Sequence, residues 1–110
     1  MATLLYWDDY NEDHIAEHGV TRVEAEYVVL HPGRGYPADI GGRKHLVWGQ
    51  DGSGRYLQVI YVYRAVETVD MARFQPADRL RLGGEPEVAY VIHARPLNER
   101  ERRQLRRRSR

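Results

Sequence analysis

Apolar and polar positions along the chain switch between helical and strand spacing. Ala2 to Trp7 is short and apolar and predicts a first strand. Asp8 or Asp9 offers a side-chain oxygen to an orphan backbone N–H, so a helix is expected over about Tyr10 to His18, with Glu12 at capping-box distance from Asp9. Gly19, free to take a left-handed backbone, ends it. Thr21 and Glu24 form a second capping box, and Val23, Tyr27 and Leu30 follow at helical spacing, which predicts one apolar face. His31-Pro32-Gly33 closes that helix, and the Gly- and Pro-containing stretch 34–42 reads as a loop.

Strand spacing then takes over. Arg43 to Gln50 and Arg55 to Arg64 alternate on either side of the turn Asp51-Gly52-Ser53-Gly54 and predict a hairpin. Both faces of the second strand are apolar or aromatic, so it is expected in the middle of the sheet. Thr68 to Phe74 reads as an edge strand, Pro76 to Gly84 as a loop, and Gly83-Gly84-Glu85-Pro86 as a break. Val88 to Ala94 is a further strand, and Asn98 with Glu101 caps a last helix. The expected class is α+β: an antiparallel sheet, two N-terminal helices packed on it, and a C-terminal helix.

Composition narrows the chemistry. A chain of 110 residues fits one domain, and the absence of cysteine excludes disulfides, Cys-based zinc sites and a thiol nucleophile. No apolar run approaches the ~20 residues of a membrane span. The start of the chain lacks the basic and apolar regions of a signal peptide, so the expected compartment is the cytoplasm. The net charge of +1 conceals an acidic head and a basic tail. Residues 1–30 carry a balance of −6, residues 95–110 one of +6, and Lys44 is the only lysine. Such polarity suits a charged partner, a nucleic acid or an acidic protein; a solvated helix end is the plainer alternative.

Five groups of residues recur here in a family-specific order: Tyr6-Trp7-Asp8, His18-Gly19-Val20, Gly49 with Gly54-Arg55-Tyr56-Leu57, His93-Ala94-Arg95, and Glu101-Arg102-Arg103. In that ordered set the chain resembles the BrnT-like toxins, over roughly residues 5–64 and 88–107. The resemblance implies a single toxin domain over 1–110 with a RelE-like fold and an Arg-rich C-terminal helix or tail from about residue 97. It also implies a metal-independent endoribonuclease without cofactor, held inactive by a small DNA-binding antitoxin of the BrnA type. The chain departs from the family pattern in the long link between its second hairpin strand and His93-Ala94-Arg95.

Cleavage of RNA by its own 2′-hydroxyl needs a base, a cation for the phosphorane and an acid for the leaving oxygen. Histidine suits the proton steps and the arginine fork suits phosphate. Arg43 with His45, and His93 with Arg95, alternate on strands, so each pair is expected to share a face. A surface built from Arg43, His45, Tyr61, His93 and Arg95 is expected to hold a phosphate and stack a base, with Arg95, His93, His45 and Arg43 as catalytic candidates. Tyr61, Tyr63, Arg64, Arg55, Arg102 and Arg103 are the RNA-binding candidates. The plainer alternatives are packing roles for the histidines and tyrosines, and an ion pair between Arg95 and the acidic first helix. His14-Ile15-Ala16-Glu17-His18 also spells H-x-x-E-H, an inverted zinc-protease pattern, although the helix stops at Gly19 and no third ligand is evident. The alternative for His18 is a structural hydrogen bond near the helix end. In the tail only Leu97 and Leu105 offer apolar anchors, so it is expected to be held by charge rather than by burial.

Overall fold

The computed structural model describes residues 4–82 and 87–108. In chain order the elements are β1 (Leu5–Tyr6), α1 (Asp9–Ala16), α2 (Arg22–Leu30), β2 (Ala38–Asp39), β3 (Lys44–Gln50) and β4 (Tyr56–Ala65). Two short 3-10 turns (Val66–Thr68 and Met71–Arg73), α3 (Pro76–Leu82), β5 (Glu87–Pro96) and α4 (Glu99–Arg108) complete the chain. The α+β class holds. The 3-10 turns stand where an edge strand was expected, and α3 replaces part of the expected loop, with Pro76 in the first helical position where its missing N–H costs nothing. The expected break at 83–86 lies outside the described residues.

The sheet runs β1-β5-β4-β3-β2, with β4 in the middle. It is mixed rather than antiparallel, because β1 lies parallel to β5. No hairpin turn dictates the direction of β1, since helices and three strands separate it from β5. Side-chain anchors hold it in place: Trp7 Nε1 donates to Glu26 at 2.6 Å, and Tyr6 Oη accepts from the Asp70 N–H at 3.3 Å.

Asp8 caps α1 in a box with Asn11, one residue earlier than the Asp9–Glu12 pairing the sequence suggested. The Thr21–Glu24 box forms as expected. The apolar face of α2 is a correction. Ala25, Val28 and Val29 are buried, whereas Val23, Tyr27 and Leu30 are 70%, 40% and 43% exposed. The helix has two apolar stripes, and the one with smaller side chains fits closely over β3 and β4. The tail is a further correction: Leu97 and Leu105 are both buried, so burial anchors the last helix where charge alone was expected to hold it.

Two apolar clusters sandwich the sheet. One joins Ile15, Val20, Ala25 and Val28 to Val47, Leu57, Val59, Tyr61, Ala89, Val91 and Ala94. The other joins Tyr6, Phe74, Val88 and Tyr90, with Val62, Val66, Val69 and Ile92 against them, so the 66–74 segment covers that side. Along β5 the first cluster takes residues 89, 91 and then 94, not 93. A register shift between Ile60 and Tyr61 causes the step: Tyr61 pairs with Val91, but Ile60 pairs with His93. This one-residue bulge turns the following side chains of β5 over.

Candidate functional site

The bulge splits the expected surface in two. His45 pairs with Tyr61, and Tyr61 with Val91, which puts His45 on the face of the helix-side core. His93 pairs with Ile60 and Arg95 with Gln58, which puts both on the opposite face. His93 and Arg95 thus stay together, as expected, but part from His45 and Tyr61. Arg43 joins neither set: it lies ahead of β3 in a turn, at φ 63°, rather than in the strand.

The His93 side gathers histidines from a second element. α1 lines the edge of β5 beyond Tyr90, where β1 no longer pairs with it, and its outer face carries a row of aromatic rings round that edge to His93. Tyr10 and His14 have ring centres 6.2 Å apart, His14 and His18 6.5 Å, and His18 and His93 5.3 Å. His18 sits beyond the last residue of α1, in a turn closed by its N–H to the Ile15 carbonyl at 3.1 Å and followed by Gly19 at φ 71°. Its ring meets His93 instead of making the structural hydrogen bond considered from sequence. Burial, followed by the charges of His18, Arg95 and His14, holds the His93 pKa below its usual 6.5. The imidazole is therefore neutral near pH 7 and free to accept a proton.

Arg95 is fastened rather than free. It donates to both carboxylate oxygens of Glu101 at 2.8 Å and to Gln58 Oε1 at 3.2 Å, the same oxygen that accepts from Trp48 Nε1 at 2.9 Å. Glu101 is itself held in the α4 cap, exchanging bonds with Asn98 at 2.9 Å each way. The Arg95 bonds pull the Glu101 carboxyl down to about 2, and Glu101 raises the Arg95 pKa in return. The partner of Arg95 is thus the start of the last helix, not the acidic first helix.

On the other face, His45 stacks on Tyr61 at 5.3 Å and meets Tyr63 edge-on at 5.2 Å. Tyr61 is buried, which pushes its phenol pKa up, and Tyr63 is 39% exposed, so only the latter offers ring surface to a partner. Three of the arginine candidates have internal duties. Arg55 bonds the Gly19 carbonyl at 2.8 Å and Glu24 at 3.2 Å, Arg64 lies 4.7 Å over the Tyr90 ring, and Arg102 bonds the Leu97 carbonyl at 3.0 Å. Arg103 is exposed on α4.

Sequence reasoning gave His14 and His18 a metal pattern, and His18 a structural hydrogen bond, and missed their meeting with His93. A helix-to-strand contact across 75 residues leaves no local spacing to read. Among the described residues no group of three His, Asp or Glu side chains is arranged to hold a metal ion, and no helix is long and apolar enough to cross a membrane. Set against protein-family models, curated proteins and solved structures, the chain matches none.

Proposed function

We propose that this chain is a metal-independent endoribonuclease, the toxin of a BrnT-like toxin–antitoxin pair with a RelE-like fold and a cognate antitoxin as partner. The observation that carries the reading is the His18–His93 imidazole pair, 5.3 Å apart and on the Arg95 side of the sheet. Neutral His93 takes the 2′-hydroxyl proton as the 2′-oxygen attacks phosphorus. The 5′-oxygen leaves with a proton donated by His18, giving a 2′,3′-cyclic phosphate and a 5′-hydroxyl. The Arg95 guanidinium adds positive potential, although its fork is already engaged by Glu101.

The test is cleavage of single-stranded RNA by purified protein in EDTA, with the product ends identified. Cyclic phosphate ends, and a drop of 10²-fold or more for His93→Ala, are expected, in line with the contribution of one acid–base group. Cleavage that EDTA abolishes, or that survives His93→Ala unchanged, removes the mechanism. A second reading is favoured by the occupied fork of Arg95: a binding module of the same fold without catalysis. Tight RNA or antitoxin binding with no cleavage of any RNA selects it.

A further inference from the structure

A cleft of about 660 Å³ opens between the end of α2, the β3–β4 turn and α4, apart from the histidine row. One wall carries Tyr27 and His31, whose rings stack at 4.1 Å and 23°. The other carries Tyr56, with the Arg106 guanidinium 5.9 Å from its ring centre. The floor is backbone, supplied by glycines. A side chain on Gly33 would meet Leu105 and the Trp48 carbonyl, each at 2.7 Å, and one on Gly49 would meet the His31 carbonyl at 3.3 Å. Residues without side chains are what let the two walls approach each other here.

Asp51 borders the same cleft and is 5% exposed. Its Oδ1 accepts from the Ser53 N–H and hydroxyl and from the Arg55 N–H, at 2.8 to 2.9 Å. Its Oδ2 is buried with no donor. Glu24 is the neighbouring carboxylate, and its oxygens accept from Thr21 and Arg55. An orphaned buried acceptor costs about 1–3 kcal/mol and calls for an explanation. The Tyr27 ring lies 3.8 Å from where a side chain would leave Gly52, beside this carboxylate, and is 40% exposed.

We propose that this cleft is a base-binding subsite for single-stranded RNA. It takes one unpaired base between its aromatic walls, sets the neighbouring phosphate near Arg106, and favours guanine through the unpaired oxygen of Asp51. The proposal rests on the ribonuclease reading and extends it to the substrate. Base stacking on aromatic side chains is indifferent to sequence, because every base has a π-face. Selectivity therefore falls to the polar edge. A carboxylate only accepts, and guanine presents adjacent ring and amino N–H donors on its pairing edge, where uracil presents a single N–H flanked by carbonyls.

The test titrates the full-length protein with 5′-GMP, with 5′-UMP and with a non-cleavable 2′-O-methyl hexamer holding one guanine among uracils, followed by amide NMR. Expected are shifts at Gly49, Gly52 and Gly54 with GMP and the hexamer, and affinity for GMP at least tenfold above UMP. Tyr56→Ala and Arg106→Ala should each weaken GMP and hexamer binding, Tyr56→Ala by about tenfold. Asp51→Asn should erase the preference for GMP; if it unfolds the turn, the Tyr56 and Arg106 variants still decide. Equal GMP and UMP affinities, unmoved cleft amides, or unchanged affinity in both variants overturn the subsite. GMP binding with a hexamer that leaves the cleft untouched also overturns it, in favour of a free nucleotide. Cleft binding that persists in a protein unable to cut RNA refutes the ribonuclease reading alone, and cleavage with a silent cleft refutes the subsite alone.

Discussion

Replacing Glu101 with glutamine tests whether the last helix is held by charge. The substitution keeps the shape of the side chain and removes the carboxylate that receives both 2.8 Å bonds from Arg95. Hydrogen bonds to a charged group contribute about 1.5–3 kcal/mol. The Arg95 side chain is 33% exposed and Glu101 15%, so solvent screening brings the expected loss to about 1–2 kcal/mol. For a domain of this size that is a fall in Tm of roughly 4–8 °C near neutral pH. The pH dependence has a definite sign. The folded-state carboxyl titrates at about 2 against its usual 4.5, so the contribution is complete above 4.5 and fades as pH drops toward 2. Thermal melts by circular dichroism, run on both proteins between about pH 7 and pH 2.5, give the comparison. The gap should be constant above about pH 5 and narrow steadily below it. Equal stability at pH 7, or a gap that ignores acidification, would falsify the assignment of Glu101 as the clamp. The same variant frees the Arg95 fork, so tighter RNA binding should accompany the lower Tm.

Acidification should also reveal His93. Its folded pKa lies below 6.5, so protonation favours the unfolded chain and stability falls as pH drops through that value. His93→Gln should lose less Tm than the wild type between about pH 7.5 and 5.5, and parallel curves would refute it. The two stripes of α2 should separate in denaturant melts. Val28→Ala is expected to cost about 2 kcal/mol and Val23→Ala under about 0.5, so equal costs would contradict the observed burial. Gly33→Ala places a methyl group 2.7 Å from Leu105 and from a backbone carbonyl, and should destabilise by about 1–3 kcal/mol; an unchanged Tm would show that α4 yields freely.

Local signals read well in this chain. The Thr21–Glu24 and Asn98–Glu101 boxes, the hairpin around Asp51 and the central place of β4 all follow from neighbouring residues and were legible. What failed depended on contacts far along the chain. The apolar face of α2 is chosen by what β3 and β4 can accommodate, and Val23, Tyr27 and Leu30 match helical spacing as well as Ala25, Val28 and Val29 do. The direction of β1 depends on a partner strand more than eighty residues later. For the candidate site, the pairing of His93 with Arg95 was legible because no irregularity separates them. The surface they were expected to share with His45 and Tyr61 was not. A bulge adds one residue to a strand whose composition stays plausible in either register.

Substitution and length change therefore carry very different weight in β5. Exchanging the side chain at 93 or 95 alters a surface. Deleting Ile92 would only straighten the ladder, whereas deleting Ala94 would carry the Arg95 guanidinium inward, opposite Val59, where Ala94 now packs with no exposure. Descent with modification is then free to vary the chemistry at those two positions while the count from His93 to Arg95 stays fixed. That uneven rhythm of inward residues, a step of two followed by a step of three, offers a fingerprint for distant kin whose histidines and arginines have drifted.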